Sequence, residues 1–177
     1  PVPMWPEAGG GEQNPLIRHS DPLNYPGRYR PILKWLLGSR NVDLPISDLE
    51  GSVVMDVGSS YGYGTYDLAN SLGRKVNALS VVGVDPVAHV GTASQDSSID
   101  ASPNVMFLQD DHRLSRLQQH LPQIADQPIK LIVALNWLHP GKYREQESRA
   151  IVNEMSHHLA EGGLLMVGAI GALYVIP

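Results

Sequence analysis

The sequence has 177 residues, a formal net charge of −5 and no cysteine. A chain of this length can bury one core without metals or crosslinks, and the missing thiol excludes disulfides, zinc–thiolate sites and sulfur nucleophiles. The acidic balance argues against a surface that tracks a phosphate backbone, and no apolar run approaches the roughly 20 residues of a membrane-spanning helix, so the expectation is a cytoplasmic protein with no membrane contact and nucleic acid a disfavoured partner.

Residues 1–31 hold seven of the 14 prolines and the run Gly9-Gly10-Gly11, the composition of an arm with little regular structure of its own. Residues 32–177 read as a single α/β domain. At the junction, PILKWLLG predicts a short amphipathic helix with Pro31 at its first turn and Gly38 just past its end. Five apolar segments follow, roughly 53–57, 79–84, 104–108, 129–135 and 164–168, rich in Val, Ile and Leu and mostly too short for helices. The intervals between them carry helical spacing: Leu68, Ala69 and Leu72; Leu114, Leu117, Leu121 and Ile124; Ile151, Met155 and Leu159, with Gly162-Gly163 as the stop. Apolar strands alternating with amphipathic helices predict a doubly wound, mainly parallel sheet with helices on both faces.

In such a sheet, ligands bind outside the carboxyl ends of the strands, where the strand order reverses. The first strand runs straight into the glycine turn of VVMDVGSSYGYG, residues 53–64, in which Asp56 precedes Gly58, Gly62 and Gly64. Glycines there let the backbone come close to a ligand, and the N–H groups of the next helix's first turn point into the same crevice, so a nucleotide-like ligand is expected. The dinucleotide fingerprint is G-x-G-x-x-G, whereas the spacing here is G-x-x-x-G-x-G. A carboxylate beside the ligand also suits a cation better than a diphosphate. The sulfonium and ammonium of S-adenosyl-L-methionine are such cations.

On these residues the sequence resembles the class I S-adenosylmethionine-dependent methyltransferases. VVMDVGSSYGYG is similar to their first motif, around the methionine part of the cofactor. VVGVDP resembles their second strand, whose terminal acid, here Asp85, binds the ribose hydroxyls. Independently of the family, Asp85 follows Gly62 at close to the roughly 20-residue offset of a ribose-binding acid in nucleotide folds. VMFLQDD resembles the third strand, with Asp110 or Asp111 meeting the adenine amino group, and IKLIVALNWLHP takes the place of the fourth strand and the segment facing the reacting methyl. HLAEGGLLMVG is similar to the turn and fifth strand, so the resemblance covers about residues 50–170.

The resemblance implies a Rossmann-like methyltransferase fold and S-adenosyl-L-methionine as cofactor, held by Asp56, Gly58, Ser60, Gly62, Gly64, Asp85, Asp110, Asp111 and Asn136. It implies methyl transfer to an O, N or C nucleophile of a small-molecule or protein acceptor. Two features depart from the family. Its fold ends in a sixth and a seventh strand, the last antiparallel, whereas AIGALYVIP has length for one more strand at about 3.3 Å per residue. The C-terminal end thus reads as short, which is consistent with a fragment, with further residues beyond this sequence, or with a partner chain or second copy that covers that sheet edge. NWLHP also differs from the Asn/Asp-Pro-Pro-aromatic tetrapeptide of members that methylate amino groups of bases or of glutamine.

Each candidate residue has a plainer use. Asp56 can cap the turn after its strand, Asp85-Pro86 can be a turn, and Asp110-Asp111 can cap a helix beginning near Arg113. His139 is the one acid–base candidate, a few residues past the fourth strand and titrating near neutral pH. Asn136 can aim a polar group of the substrate, and Trp137 can stack on it or simply pack. Tyr61 and Tyr63 can cover the cofactor or pack on the following helix. His157-His158 lie near a helix C-terminus, where the dipole favours them over metal binding, and Arg28, Tyr29 and Arg30 can meet an anionic substrate or stay solvated. Two rival functions stand beside methyl transfer: an NAD(P)-binding oxidoreductase, which the glycine spacing disfavours, and a methyltransferase-like scaffold that binds a partner without turnover.

Overall fold

The computed structural model describes residues 46–73, 76–86, 90–95, 97, 104–135, 143–169 and 172–176. The proline-rich arm, the helix expected after it, Asn136, Trp137 and His139 lie outside these residues.

β1 (Val53–Val57) is buried at every position, as an apolar, mostly β-branched strand must be when both of its faces are covered. It joins β2 (Ser80–Asp85), β3 (Val105–Gln109), β4 (Ile129–Leu135), β5 (Leu164–Ala169) and β6 (Ala172–Ile176) in one sheet of order β3-β2-β1-β4-β5-β6. β1 to β5 pair in parallel. Val53 stands opposite Ser80 on one side and Ile129 on the other, so the chain winds out to β3 and then crosses back past β1. The strand order reverses between β1 and β4, which places a ligand crevice at their carboxyl ends. β6 runs antiparallel to β5, with Ala169 opposite Ala172. A connection that short permits no other direction, since a parallel return needs a crossover of about a dozen residues or more.

Strand alternation sends side chains to two cores. Val54, Val81, Leu131 and Met166 face α1 (Tyr63–Gly73), which buries Leu68, Ala69 and Leu72 against them. Met55, Val82, Ile132 and Leu165 face the opposite way, towards Leu117, Ile124, Ile151 and Met155. Burying each such aliphatic side chain contributes about 1.5–3 kcal/mol, so helices on both faces are what hold the sheet flat side to flat side.

Two helical expectations are corrected. The interval from Leu114 to Ile124 forms two single turns, α2 (Leu117–His120) and α3 (Pro122–Ala125), and not one helix. Pro122 excludes the helical conformation at the residue before it, and Leu121 sits at φ −131°, ψ 55°. α4 (Glu145–Ser156) begins where the Arg144 N–H donates to the Glu147 carboxylate at 2.7 Å. It ends well ahead of Gly162-Gly163, leaving Leu159 beyond it, because the Ala160 N–H is already committed to the Ile129 carbonyl of β4 at 2.9 Å. His157 caps α4 and His158 follows it, so neither lies within the helix. No helix among the described residues is long and apolar enough to cross a membrane.

Candidate functional site

Asp56 lies near the carboxyl end of β1 and is 1% exposed. A buried carboxylate needs partners to offset its desolvation, and Thr65 of α1, itself 0% exposed, donates its hydroxyl to Asp56 Oδ2 at 2.7 Å. The pair ties β1 to α1 across the turn between them. Asp56 therefore has almost no surface to offer a ligand.

The turn itself bends through left-handed φ values of 83° at Gly58, 51° at Ser60 and 96° at Gly62. Gly64, expected in the turn, is instead buried in the first turn of α1. Ser60 is the departure, since a residue with a Cβ is strained there by about 1–3 kcal/mol. What holds it is the carboxylate at the end of β2: the Ser60 N–H donates to Asp85 Oδ2 at 2.9 Å. The N–H groups of Gly58 and Ser59 converge on the Val84 carbonyl at 2.8 and 3.1 Å. The glycine turn is thus folded over the end of β2, and Asp85, 8% exposed, sits beneath it.

Ser59 was not among the residues the sequence singled out. Its hydroxyl is buried, at 2% exposure, and finds no hydrogen-bond partner among the described residues. Leaving such a group unpaired costs about 1–3 kcal/mol. At this place in the turn a polar ligand group would satisfy it, which fits the amino-acid end of S-adenosyl-L-methionine.

Asp110 and Asp111 fold the loop after β3. Asp110 Oδ2 accepts the Arg116 N–H at 2.6 Å, and its Oδ1 accepts the Asp111 N–H at 2.9 Å and the Ser115 hydroxyl at 3.3 Å. Asp111 accepts from the Arg113 N–H at 2.8 Å and from the Arg113 guanidinium at 3.1 Å. No helix begins near Arg113, so the capping expectation is corrected: both acids instead bond the turns that lead to α2, whose first residue is Leu117 and which has no side-chain cap. The Asp110 N–H in turn donates to the Asp85 carbonyl at 3.2 Å, which brings the loop against the end of β2.

The far side of that loop is clamped to α4. His112 Nε2 lies 2.7 Å from the Glu154 carboxylate, and Arg113 Nε lies 3.5 Å from the same oxygen. His158 completes the group. Burial pushes its imidazole below the ordinary 6.5, a hydrogen bond with the Arg113 backbone resists, and the charges of His157 and His112 outweigh that of Glu154. Because the folded state binds this proton less readily than the unfolded chain, stability is full above about pH 6.5 and falls as the pH drops below it. Melting curves taken from about pH 7.5 to about 5.5 should show this decline, and His158→Asn should flatten part of it; parallel slopes for the two proteins would remove His158 from the account. Among the described residues no group of three or more His, Asp or Glu could hold a metal ion.

No protein-family model matches the sequence, and no curated protein matches it either. Solved structures match it in fold. An O-methyltransferase family protein from Burkholderia thailandensis superposes with a TM-score of 0.55 over 89% of this chain and 42% of its own, at 12% identity. An amino pentose methyltransferase from Micromonospora echinaspora with S-adenosylmethionine bound gives a TM-score of 0.52 over 84% of this chain and 52% of its own, at 18% identity. Coclaurine N-methyltransferase bound to N-methylheliamine and S-adenosylhomocysteine gives 0.50 over 78% and 35%, at 15% identity. The fold is the Rossmann-like methyltransferase fold, and the chain spans 35% to 52% of the length of these structures.

Proposed function

We propose that a chain with this sheet and this turn binds S-adenosyl-L-methionine at the switch point and moves its methyl group to an O or N nucleophile of a small molecule. The Ser60–Asp85 hydrogen bond carries this reading. It bends the turn after β1 over the end of β2 at the cost of a strained serine, and strain of that kind collects where a ligand is gripped. The matched structures support the ligand class, since two of them hold S-adenosylmethionine or S-adenosylhomocysteine.

In this reading Gly58, Ser59, Ser60 and Gly62 cradle the methionine end. Asp85 keeps one oxygen on the Ser60 N–H, and a carboxylate with about four acceptor positions also takes the ribose hydroxyls. Asp56, one layer below, favours a cationic ligand by its charge, and the loop shaped by Asp110 and Asp111 lies on the adenine side. The cofactor supplies a methyl group on a cationic sulfur, ready for in-line displacement. The chain's own work is to hold the reactants in line and keep water out, which requires no acid–base pair. Asn136 and His139 are the acceptor-side candidates, by their place just past β4. The amino pentose and coclaurine enzymes support a small-molecule acceptor.

The test is a thermal shift with S-adenosylmethionine, S-adenosylhomocysteine and NAD(P) side by side. Ligand at about 100 times its Kd stabilises by about 2.7 kcal/mol, so the two adenosyl compounds should raise the melting temperature by a few degrees. A shift with the nicotinamides alone would replace this reading with an oxidoreductase one. No shift at all, in a protein that melts cooperatively, would leave a partner-binding scaffold.

A further inference from the structure

Three glycines from three separate segments surround one aromatic ring. A Cβ built on Gly62 in the glycine turn falls on the Phe107 ring, one on Gly83 in β2 comes within 2.7 Å of it, and one on Gly91 within 2.5 Å. Carbon atoms out of covalent contact do not come that close. With the ring in place, therefore, none of the three positions has room for a side chain. Phe107 stands opposite Gly83 in the β2–β3 register, and the Tyr66 ring of α1 is tilted against it, with centroids 5.6 Å apart and planes at 59°.

The segment beyond Gly91 is fastened to the same turn. In the 3-10 turn Thr92–Gln95 the Ala93 N–H donates to the Tyr61 carbonyl at 2.9 Å, and the Ser94 side chain bonds the Tyr66 hydroxyl. The ring therefore fills a volume walled by β2, α1, the glycine turn and this 3-10 segment. The ring is half-buried, and on the side of the turn the backbone at Gly62, Gly83 and Gly91 together with Tyr66 restricts where it can go.

We propose that Phe107 is a positioning residue for the cofactor site: its ring, lodged against Gly62 and Gly91, sets where the glycine turn sits over β2 and keeps the Ser60 N–H on Asp85. Ligand affinity then depends on a side chain that does not itself touch the ligand. The inference rests on the cofactor reading given above, and a smaller side chain would let the left-handed turn relax into the space the ring fills.

The test compares Phe107→Leu and Phe107→Met with Val82→Ala, which removes buried carbon from the opposite core. Two quantities are read: the Kd for S-adenosylhomocysteine, and amide hydrogen exchange of the peptide covering Gly58–Tyr63 in the ligand-free protein. Both Phe107 variants should weaken binding about tenfold or more and speed exchange in that peptide, while Val82→Ala, at a comparable loss of melting temperature, leaves both near the wild type. If either Phe107 variant melts lower yet keeps wild-type affinity and exchange, or if Val82→Ala changes both as far, the ring is ordinary packing and the proposal falls. Should the wild type itself not bind, the cofactor reading fails on its own, and the exchange measurement still decides whether Phe107 holds the turn.

Discussion

Asp85→Ala should abolish measurable binding of S-adenosylhomocysteine and lower the melting temperature as well. The carboxylate holds the Ser60 N–H at 2.9 Å, so its loss leaves a strained serine without its anchor. A hydrogen bond to a charged group contributes about 1.5–3 kcal/mol, and losing the ribose contacts along with the shape of the turn weakens binding by about a hundredfold or more. Asp85→Asn separates the two roles. Its amide oxygen can still accept from Ser60, so stability should return towards that of the wild type, whereas a neutral amide accepts poorly from two hydroxyls and affinity should stay low. Calorimetric titration and melting curves on both variants check this. Wild-type affinity in Asp85→Ala would reduce Asp85 to a loop anchor with no part in the ligand site.

Gly83→Ala is expected to give a large loss of stability from a single added methyl group. Its Cβ would lie 2.7 Å from two Phe107 ring atoms and 2.8 Å from Thr65 Oγ1, and that hydroxyl is the one bonded to the buried Asp56 at 2.7 Å. One carbon therefore displaces the ring and disturbs a buried carboxylate together. Overpacking costs about 1–3 kcal/mol and unpairing a buried polar group about 1–3 more. At about 2–4 °C per kcal/mol for a domain of this size, the melting temperature should drop by roughly 10 °C. Gly83→Ala combined with Phe107→Leu should recover part of the loss, since the smaller side chain makes room for the methyl. A Gly83→Ala protein melting within a degree or so of the wild type would contradict the packing described around the ring.

The strands were legible because burial on both faces leaves no polar alternation: β1 and β4 fall where the apolar runs fall, and the other three parallel strands are displaced by a residue at one or both ends. Their order in the sheet is set by crossovers that no short segment encodes. The Leu114–Ile124 period was real, since Leu117, Leu121 and Ile124 do enter one core, but periodicity reports which way side chains face and not whether Pro122 lets the backbone continue. The end of α4 depends on a bond to β4, far away in sequence, so Gly162 was the wrong punctuation to trust.

In the candidate site, turn chemistry pointed to Gly58 and Gly62, which do take left-handed φ, and spacing pointed to Asp85, which lies under the turn on the Ser60 N–H. Ser60 was invisible as a left-handed residue because the bond that keeps it there spans 25 positions. A clue to Phe107 did exist. A glycine inside the apolar strand SVVGVD often marks a close approach by another group, yet the approaching ring comes from β3 and only the register reveals it.

The place of β1 in the sheet also governs time. Val53 must find Ser80 on one side and Ile129 on the other, whereas β5 and β6 meet across the short link between Ala169 and Ala172. Closing the longer loop costs more chain entropy, and pairings distant in sequence slow folding. A refolding chain is therefore expected to gain its hairpin before its crevice, which exists only once β1 and β4 have docked. A ligand of that crevice has nothing to grip until this late step is done, so it prolongs the life of the folded molecule and leaves the rate of its formation unchanged.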